Sequence, residues 1–126
     1  MRAAKVTARV RAAGMKKIEV IIKPSTLDAV KAALEKAGIN GLTTSEVKGL
    51  GPQKGLTELS RGSDYVIDFK PKLKLEMIVR DEHVGAVVSA ILRKARIEGV
   101  SDSEICVMSV ENAVRIRTHE RGDAAI

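Results

Sequence analysis

The sequence predicts an α+β fold in which two strand–helix–strand units interleave in one antiparallel sheet. Three observations carry that expectation. Two short runs, 16–23 and 72–79, show the apolar–polar alternation of a strand buried on one face. Each is followed by a run with helical apolar spacing, 25–38 and 81–99, closed by a glycine. A second strand-like run, 41–50 or 104–110, follows each helix.

In "KKIEVIIK" (16–23), Ile18, Val20 and Ile22 fall on one face and Ile21 on the other, and Pro24 stops the strand. "STLDAVKAALEKAG" is the first helix. Ser25 and Asp28 are spaced as a capping box with Asp in place of Glu. Leu27, Val30, Leu34 and Ala37 form its apolar stripe, and Gly38 is placed to end it. "GLTTSEVKGL" (41–50) is the second strand. A long polar connection follows, holding the protein's only Tyr and only Phe. "KLKLEMIV" (72–79) sets Leu73, Leu75, Met77 and Val79 against Lys72, Lys74, Glu76 and Ile78. "DEHVGAVVSAILRKARIEG" (81–99) is the second helix, with Asp81 as cap and Val84, Val87, Val88, Ile91, Leu92 and Ala95 as its apolar face. "EICVMSV" (104–110) is a strand, and "AVRIRT" (113–118) a short final strand or strand-like segment.

This order permits two right-handed crossovers and therefore a ferredoxin-like βαββαβ sandwich with both helices on one sheet face. The other face needs cover. Ile21 and Ile78 lie in the opposite phase to their strands' main stripes, and Cys106 and Met108 add apolar groups there. A closed oligomer would bury that face, at roughly 25 cal/mol per Å² of apolar area.

The 126 residues are the size of one domain. No apolar run approaches the roughly 18–20 residues of a membrane span. A single cysteine excludes a disulfide framework, which fits a cytoplasmic setting. The net charge of +6 suggests a nucleic-acid partner, but residues 1–14 hold four basic side chains and no acid. Taking those four from the 22 Lys and Arg leaves 18 against 16 Asp and Glu, so the excess belongs mostly to a basic N-terminal extension, expected to be disordered or a start-site artefact, with a transit or interaction segment as the alternative. Met15 marks a natural start for the folded domain, 15–126.

No phosphate loop of the GxxxxGK[ST] kind is present. "GLGPQKG" departs from GxGxxG because Lys54 stands at the third glycine. His83 and His119 are far apart and lack zinc-site spacing. No nucleophile–base arrangement can be assigned, so no enzyme is expected. An RNA-binding module on the same plan would stack bases on sheet aromatics, and these strands have none. Arg115 and Arg117, two apart on an expected strand, would stand side by side for phosphate or sit on a solvated edge with salt bridges. "VKGLGPQKG" offers glycine-freed amides that can cradle an anion, or a flexible turn. Ser63 and Tyr65 present exposed hydroxyls to a modifying enzyme.

Taken together, "KKIEVIIKP", "EVKGLGPQKGLTEL", "RGSDYVIDFKPK" and "RIRTHERGDAAI" resemble the PII signalling proteins from Met15 to Ile126. The resemblance implies a cytoplasmic homotrimer, not an enzyme, that binds ATP or ADP between subunits and, with Mg²⁺-ATP in place, 2-oxoglutarate. It implies that residues 51–68 are the T-loop, which engages targets such as an ammonium transporter or a nitrogen-assimilation enzyme. Membrane contact would come only through a transporter partner, with no nucleic acid. By position, Thr43, Gly49, Gly51, Gln53, Glu76, Ile78, Arg115 and Arg117 would surround the nucleotide. Gln53, Lys54, Gly55 and Lys72 would hold 2-oxoglutarate, with Gln53 also on the metal. Tyr65 matches the residue uridylylated or adenylylated in some members, and Ser63 one phosphorylated in others.

The departures are also informative. Where the family reads TGxIGDGK, this chain reads "IEGVSDSE". Ser101 and Ser103 replace glycines and Glu104 replaces a lysine. Pro52 replaces an arginine, Ser60 a tyrosine and His119 a glycine. Lost cations and one new anion predict weakened or altered nucleotide binding, with ADP or AMP favoured over ATP. The alternative is a divergent paralogue that senses another small effector for a different transporter or pathway.

Overall fold

The structure is a computed structural model that describes residues 14–49, 70–95 and 103–126. Strand β1 (Met15–Ile22) leads to helix α1 (Leu27–Lys36), strand β2 (Thr43–Gly49), strand β3 (Lys70–Arg80), helix α2 (Val84–Ala95) and strand β4 (Ile105–Val110). The sheet order is β2-β3-β1-β4, with every neighbouring pair antiparallel. Both crossovers thus skip one strand, as the βαββαβ expectation requires.

The strand period of two sorts the residues as the alternation predicts. Ile18, Val20 and Ile22 of β1 and Leu75, Met77 and Val79 of β3 are buried in one cluster. Val30, Ala33 and Leu34 of α1 and Val87, Ala90 and Ile91 of α2 join it. The helices therefore cover one face, and their apolar side chains fill the space above the two central strands. Ile39, absent from the expected core, is buried there too. It follows a Schellman turn at the end of α1: Ile39 N–H donates to the Leu34 carbonyl and Gly38 N–H to that of Glu35, both at 3.0 Å. Gly38 has φ +87°, which a side chain would resist.

Several local expectations are corrected. The Ser25–Asp28 capping box does not form. Pro24–Thr26 make a 3₁₀ turn, and the Thr26 hydroxyl donates instead to the Lys23 carbonyl at 2.8 Å. Asp81 is not a helix cap either. It lies in a second 3₁₀ turn, Asp81–His83, its carboxylate takes Lys16 at 2.7 Å, and its N–H donates to Gly14 O at 3.0 Å. Leu92 is 48% exposed, because Val87, Ala90 and Ile91 already supply the sheet-facing stripe and Leu92 points about 100° away from Ile91. Residues 96–99 of the expected second helix lie outside the described residues.

Strand β3 is longer than the sequence suggests. Its pairing with β1 ends at Ile22–Leu73, while Lys70, Pro71 and Lys72 pair only with Gly49, Lys48 and Val47 of β2. Pro71 is tolerated there because β1 has ended, so one side of β3 carries no ladder.

The final strand at 113–118 is also corrected. Val114 makes an isolated bridge to Arg121, and residues 116–118 are turn. Residues 113–122 instead form a small hairpin. Arg115 N–H donates to Glu120 O at 2.8 Å, His119 N–H to Arg115 O at 2.7 Å, and Gly122 N–H to Ala113 O at 3.0 Å. His119 closes the reversal with φ +65°, the left-handed region that glycine prefers.

Candidate functional site

The candidate site lies on the sheet face away from the helices. The strand pleat puts Lys17, Glu19 and Ile21 of β1 on that face with Lys72, Lys74, Glu76 and Ile78 of β3. Thr43 lies directly opposite Glu76 on β2, and Glu19 directly opposite it on β1. Cys106 pairs with Glu19 and Met108 with Lys17 across the β1–β4 ladder, and both side chains are exposed. Ile78 is 39% exposed, unusual for an isoleucine in a central strand.

The centre of this face is a closed ring of four ion pairs. Lys17 Nζ lies 3.1 Å from Glu19 Oε2 and 3.2 Å from Glu76 Oε2. Lys74 Nζ lies 3.5 Å from Glu19 Oε1 and 3.3 Å from Glu76 Oε1. Hydrogen bonds from Lys17 and then Lys74 hold the Glu76 carboxyl below its ordinary value. Hydrogen bonding to Glu19, then to Glu76, raises Lys17, and hydrogen bonding to Glu76 with the nearby Glu19 charge raises Lys74. The ring is neutral as a whole, so the face can be covered without stranding a charge.

Of the residues expected around a nucleotide, the structure brings Thr43, Glu76 and Ile78 into one patch. Gly49 and Lys72 lie farther along the same two strands, near where β2 and β3 leave the sheet. Gly51, Pro52, Gln53, Lys54, Gly55, Ser60, Ser63, Tyr65 and Ser101 lie outside the described residues. Arg115 and Arg117 sit on the C-terminal hairpin. Their side-by-side placement on a strand is overturned, because the chain reverses between 116 and 119. Arg115 Nε is 3.8 Å from Glu120 Oε1, a loose contact, and Thr118 donates its hydroxyl to the same oxygen at 2.7 Å. Ile116, between the arginines, is 91% exposed. Glu104, just before β4, is exposed. Among the described residues no group of three His, Cys, Asp or Glu is placed to hold a metal, so a metal here would need donors from elsewhere.

Lys17, Glu19 and Lys74 were not singled out from the sequence. Their signal is present: opposite charges two apart in both "KKIE" and "KLKLEM", each in the phase away from the core. It becomes a ring only once the β1–β3 register is known.

Residues 15–120 match the sequence profile of the family described as "Nitrogen regulatory protein P-II". The chain is 55% identical over 112 residues to nitrogen regulatory protein P-II of Rhodobacter capsulatus, covering 89% of this chain and 100% of that one. It is 51% identical over 112 residues, with the same coverage, to nitrogen regulatory protein P-II 1 of Escherichia coli strain K12. Among solved structures it is similar to the Bacillus subtilis GlnK–ATP complex, with TM-score 0.72, 29% identity and coverage of 91% of this chain and 98% of that one. It is also similar to Arabidopsis thaliana PII bound to citrate, with TM-score 0.71, 33% identity and coverage of 90% and 92%. No helix among the described residues is long and apolar enough to cross a membrane. With the βαββαβ sheet in place and relatives matched over their whole length, the chain belongs to the nitrogen regulatory protein P-II family, whose members are signal transducers and not enzymes.

Proposed function

We propose that this protein is a cytoplasmic, trimeric P-II sensor of adenine nucleotide and 2-oxoglutarate. Its T-loop, residues 51–68, regulates a nitrogen-metabolism protein such as an ammonium transporter. The observation that carries this reading is the patch of Thr43, Glu76 and Ile78 on an uncovered sheet face, in a chain matched to P-II relatives over their whole length. An exposed apolar side chain beside a hydroxyl and a carboxylate suits the flat, polar-edged ring of a purine. Binding of ATP by the Bacillus subtilis relative supports the nucleotide, and citrate on the Arabidopsis relative supports a carboxylate effector. In this reading Arg115 and Arg117 hold phosphate, Gly49 and Gly51 let the backbone approach, and Gln53 holds Mg²⁺. Gln53, Lys54, Gly55 and Lys72 then take 2-oxoglutarate. Two more copies cover Cys106 and Met108 and close the cleft beside Ile78, and Tyr65 or Ser63 is the modification target.

Nucleotide affinity is reduced in this reading. Glu104 is exposed and negative where the resemblance places a lysine against phosphate, and Arg115 already has an anionic neighbour. At an effective dielectric of about 20, one unit charge at about 4 Å is worth about 4 kcal/mol before desolvation. A sign reversal of that kind moves preference toward ADP or AMP. Calorimetry with ATP, ADP and AMP, with and without Mg²⁺ and 2-oxoglutarate, tests both parts. The expected order is ADP or AMP above ATP, with Glu104→Lys restoring ATP. Sub-micromolar Mg²⁺-ATP binding by the unmodified chain would refute the weakened site. No response to any adenine nucleotide would favour the second reading, a divergent paralogue with another effector, for which Glu104 and Ser103 are the supporting residues.

A further inference from the structure

We infer that the cleft between the C-terminal half of α1 and the segment leading into β2 is a binding site for a free α-amino acid with an apolar side chain, held by Lys31 at its carboxylate and by Glu35 at its ammonium. The inference goes beyond the nucleotide reading and does not depend on it.

The cleft has a volume of about 310 Å³ and is lined by Lys31, Glu35, Ile39, Asn40 and Leu42. That is the small end of the range for ligand sites, about 300–1,000 Å³, and suits a small metabolite. Its floor is apolar: Ile39 is 7% exposed, and Leu42 is partly buried against the core. Its rim is polar, because Lys31, Glu35 and Asn40 are exposed. The turn that carries the floor is fixed before any ligand arrives. Gly38 at φ +87° and the Ile39 N–H bond to the Leu34 carbonyl bring Ile39 into the core and leave Asn40 outside. Leu42 packs on the helix side of the sheet, so the cleft lies across the sheet from the patch of Thr43, Glu76 and Ile78.

Lys31 and Glu35 stand one turn apart on α1, a spacing that allows them to pair, yet among the described residues neither makes an ion pair. Lysine N-terminal to glutamate is the weaker order for such a pair, so a ligand carrying both charges meets little competition from within the helix. An α-amino acid bears its carboxylate and ammonium on one carbon, and the cleft offers one complement for each. The helix sets which way round the ligand lies. Glu35 is the penultimate residue of α1, where the negative end of the helix dipole adds to the attraction for an ammonium, and Lys31 lies one turn back. The Asn40 amide can donate or accept and so serves either end. The ligand's side chain rests on Ile39 and Leu42, where apolar burial adds affinity that a ligand without a side chain lacks.

The test titrates leucine into the isotope-labelled full chain and reads the backbone amide shifts. Saturable shifts at Ile39, Asn40 and Leu42 are expected. N-acetyl-leucine lacks the ammonium, leucinamide the carboxylate and glycine the side chain, and each should bind at least about fivefold more weakly than leucine. Lys31→Met should weaken leucine and erase its advantage over leucinamide. Glu35→Gln should weaken leucine and erase its advantage over N-acetyl-leucine. Lys36→Met, beside Glu35 but outside the cleft, should leave leucine binding unchanged. Both cleft side chains are exposed, so neither variant should move the urea midpoint. The inference is overturned by no saturable shift at millimolar leucine, by shifts confined to other residues, by equal binding of the two charge-deleted analogues and leucine, or by unchanged leucine affinity in Lys31→Met and Glu35→Gln. Each of these results leaves the nucleotide reading standing, since that is measured by nucleotide titration alone.

Discussion

Glu19 and Glu76 face each other directly across the β1–β3 ladder, and the same two lysines join them. Two carboxylates so placed would repel. Lys17 and Lys74 convert that repulsion into a closed, neutral set. Lys74→Met is therefore expected to lower stability, and Glu76→Gln likewise. The double variant should lose less than the sum of the two, because the second change removes a charge the first left uncompensated. Urea unfolding of the four proteins measures the coupling, and additive losses would show that the ring contributes nothing as a unit.

The same ring sets a pH dependence with two limbs. Glu76 is lowered in the folded state from an ordinary 4.5, so its contribution is complete above 4.5 and is lost as pH falls through the lower folded value. Lys17 and Lys74 are raised from 10.5, so theirs is complete below 10.5 and is lost as pH rises through the higher folded value. Melting temperature against pH should show a plateau between these limits, and Glu76→Gln should flatten part of the acid limb.

His119 holds a left-handed conformation at the hairpin reversal. That costs an L-residue about 1–2 kcal/mol, with histidine among the more tolerant types. Replacing it with glycine adds chain entropy to the unfolded state, worth about 0.4–1 kcal/mol. His119→Gly is expected to stabilise by a net of about 0.5 kcal/mol, and His119→Val to destabilise. Denaturation midpoints check both signs.

Leu34 and Leu92 separate what the helical pattern joins. Leu34 is fully buried in the common cluster, so Leu34→Ala should cost about 2–5 kcal/mol. Leu92 is half exposed, and Leu92→Ala should stay within about 0.5 kcal/mol in the isolated chain.

Gly14 accepts the Asp81 N–H, which ties the start of β1 to the turn before α2. Removing residues 1–13 should leave stability unchanged. Removing residues 1–14 should cost about 0.5–1.5 kcal/mol, readable as a shift in the urea midpoint.

The alternation of Ile18, Val20 and Ile22, and of Leu75, Met77 and Val79, was enough to assign both faces of the sheet, because period-2 patterning is a property of one strand at a time. Helix stripes were readable for the same reason, apart from Leu92, whose neighbours win the sheet-facing positions. The starts of both helices were misread because Pro24 and Asp81 open 3₁₀ turns. There the Thr26 hydroxyl donates to the Lys23 carbonyl and the Asp81 carboxylate takes Lys16 of β1, so neither side chain is shown capping a helix N–H. "AVRIRT" alternates like a strand, and the reversal behind it depends on His119 taking a conformation that sequence rules assign to glycine. The ion ring depends on which residue of β1 meets which residue of β3. Neither strand contains that information alone.

Beyond Leu73, strand β3 leaves the sheet with only β2 for company, and the two continue as a ribbon of three residue pairs, Lys72–Val47 to Lys70–Gly49. At about 3.3 Å per residue, this ribbon is about 10 Å long. Residues 50–69 are tethered at both ends to its tip. A ribbon braced on one side only bends more readily than the four-strand slab at its foot, so a small push near Lys72 would be magnified into a larger swing at Lys70 and Gly49. The ribbon's most yielding point is therefore its foot, where the pairing with Ile22 ends.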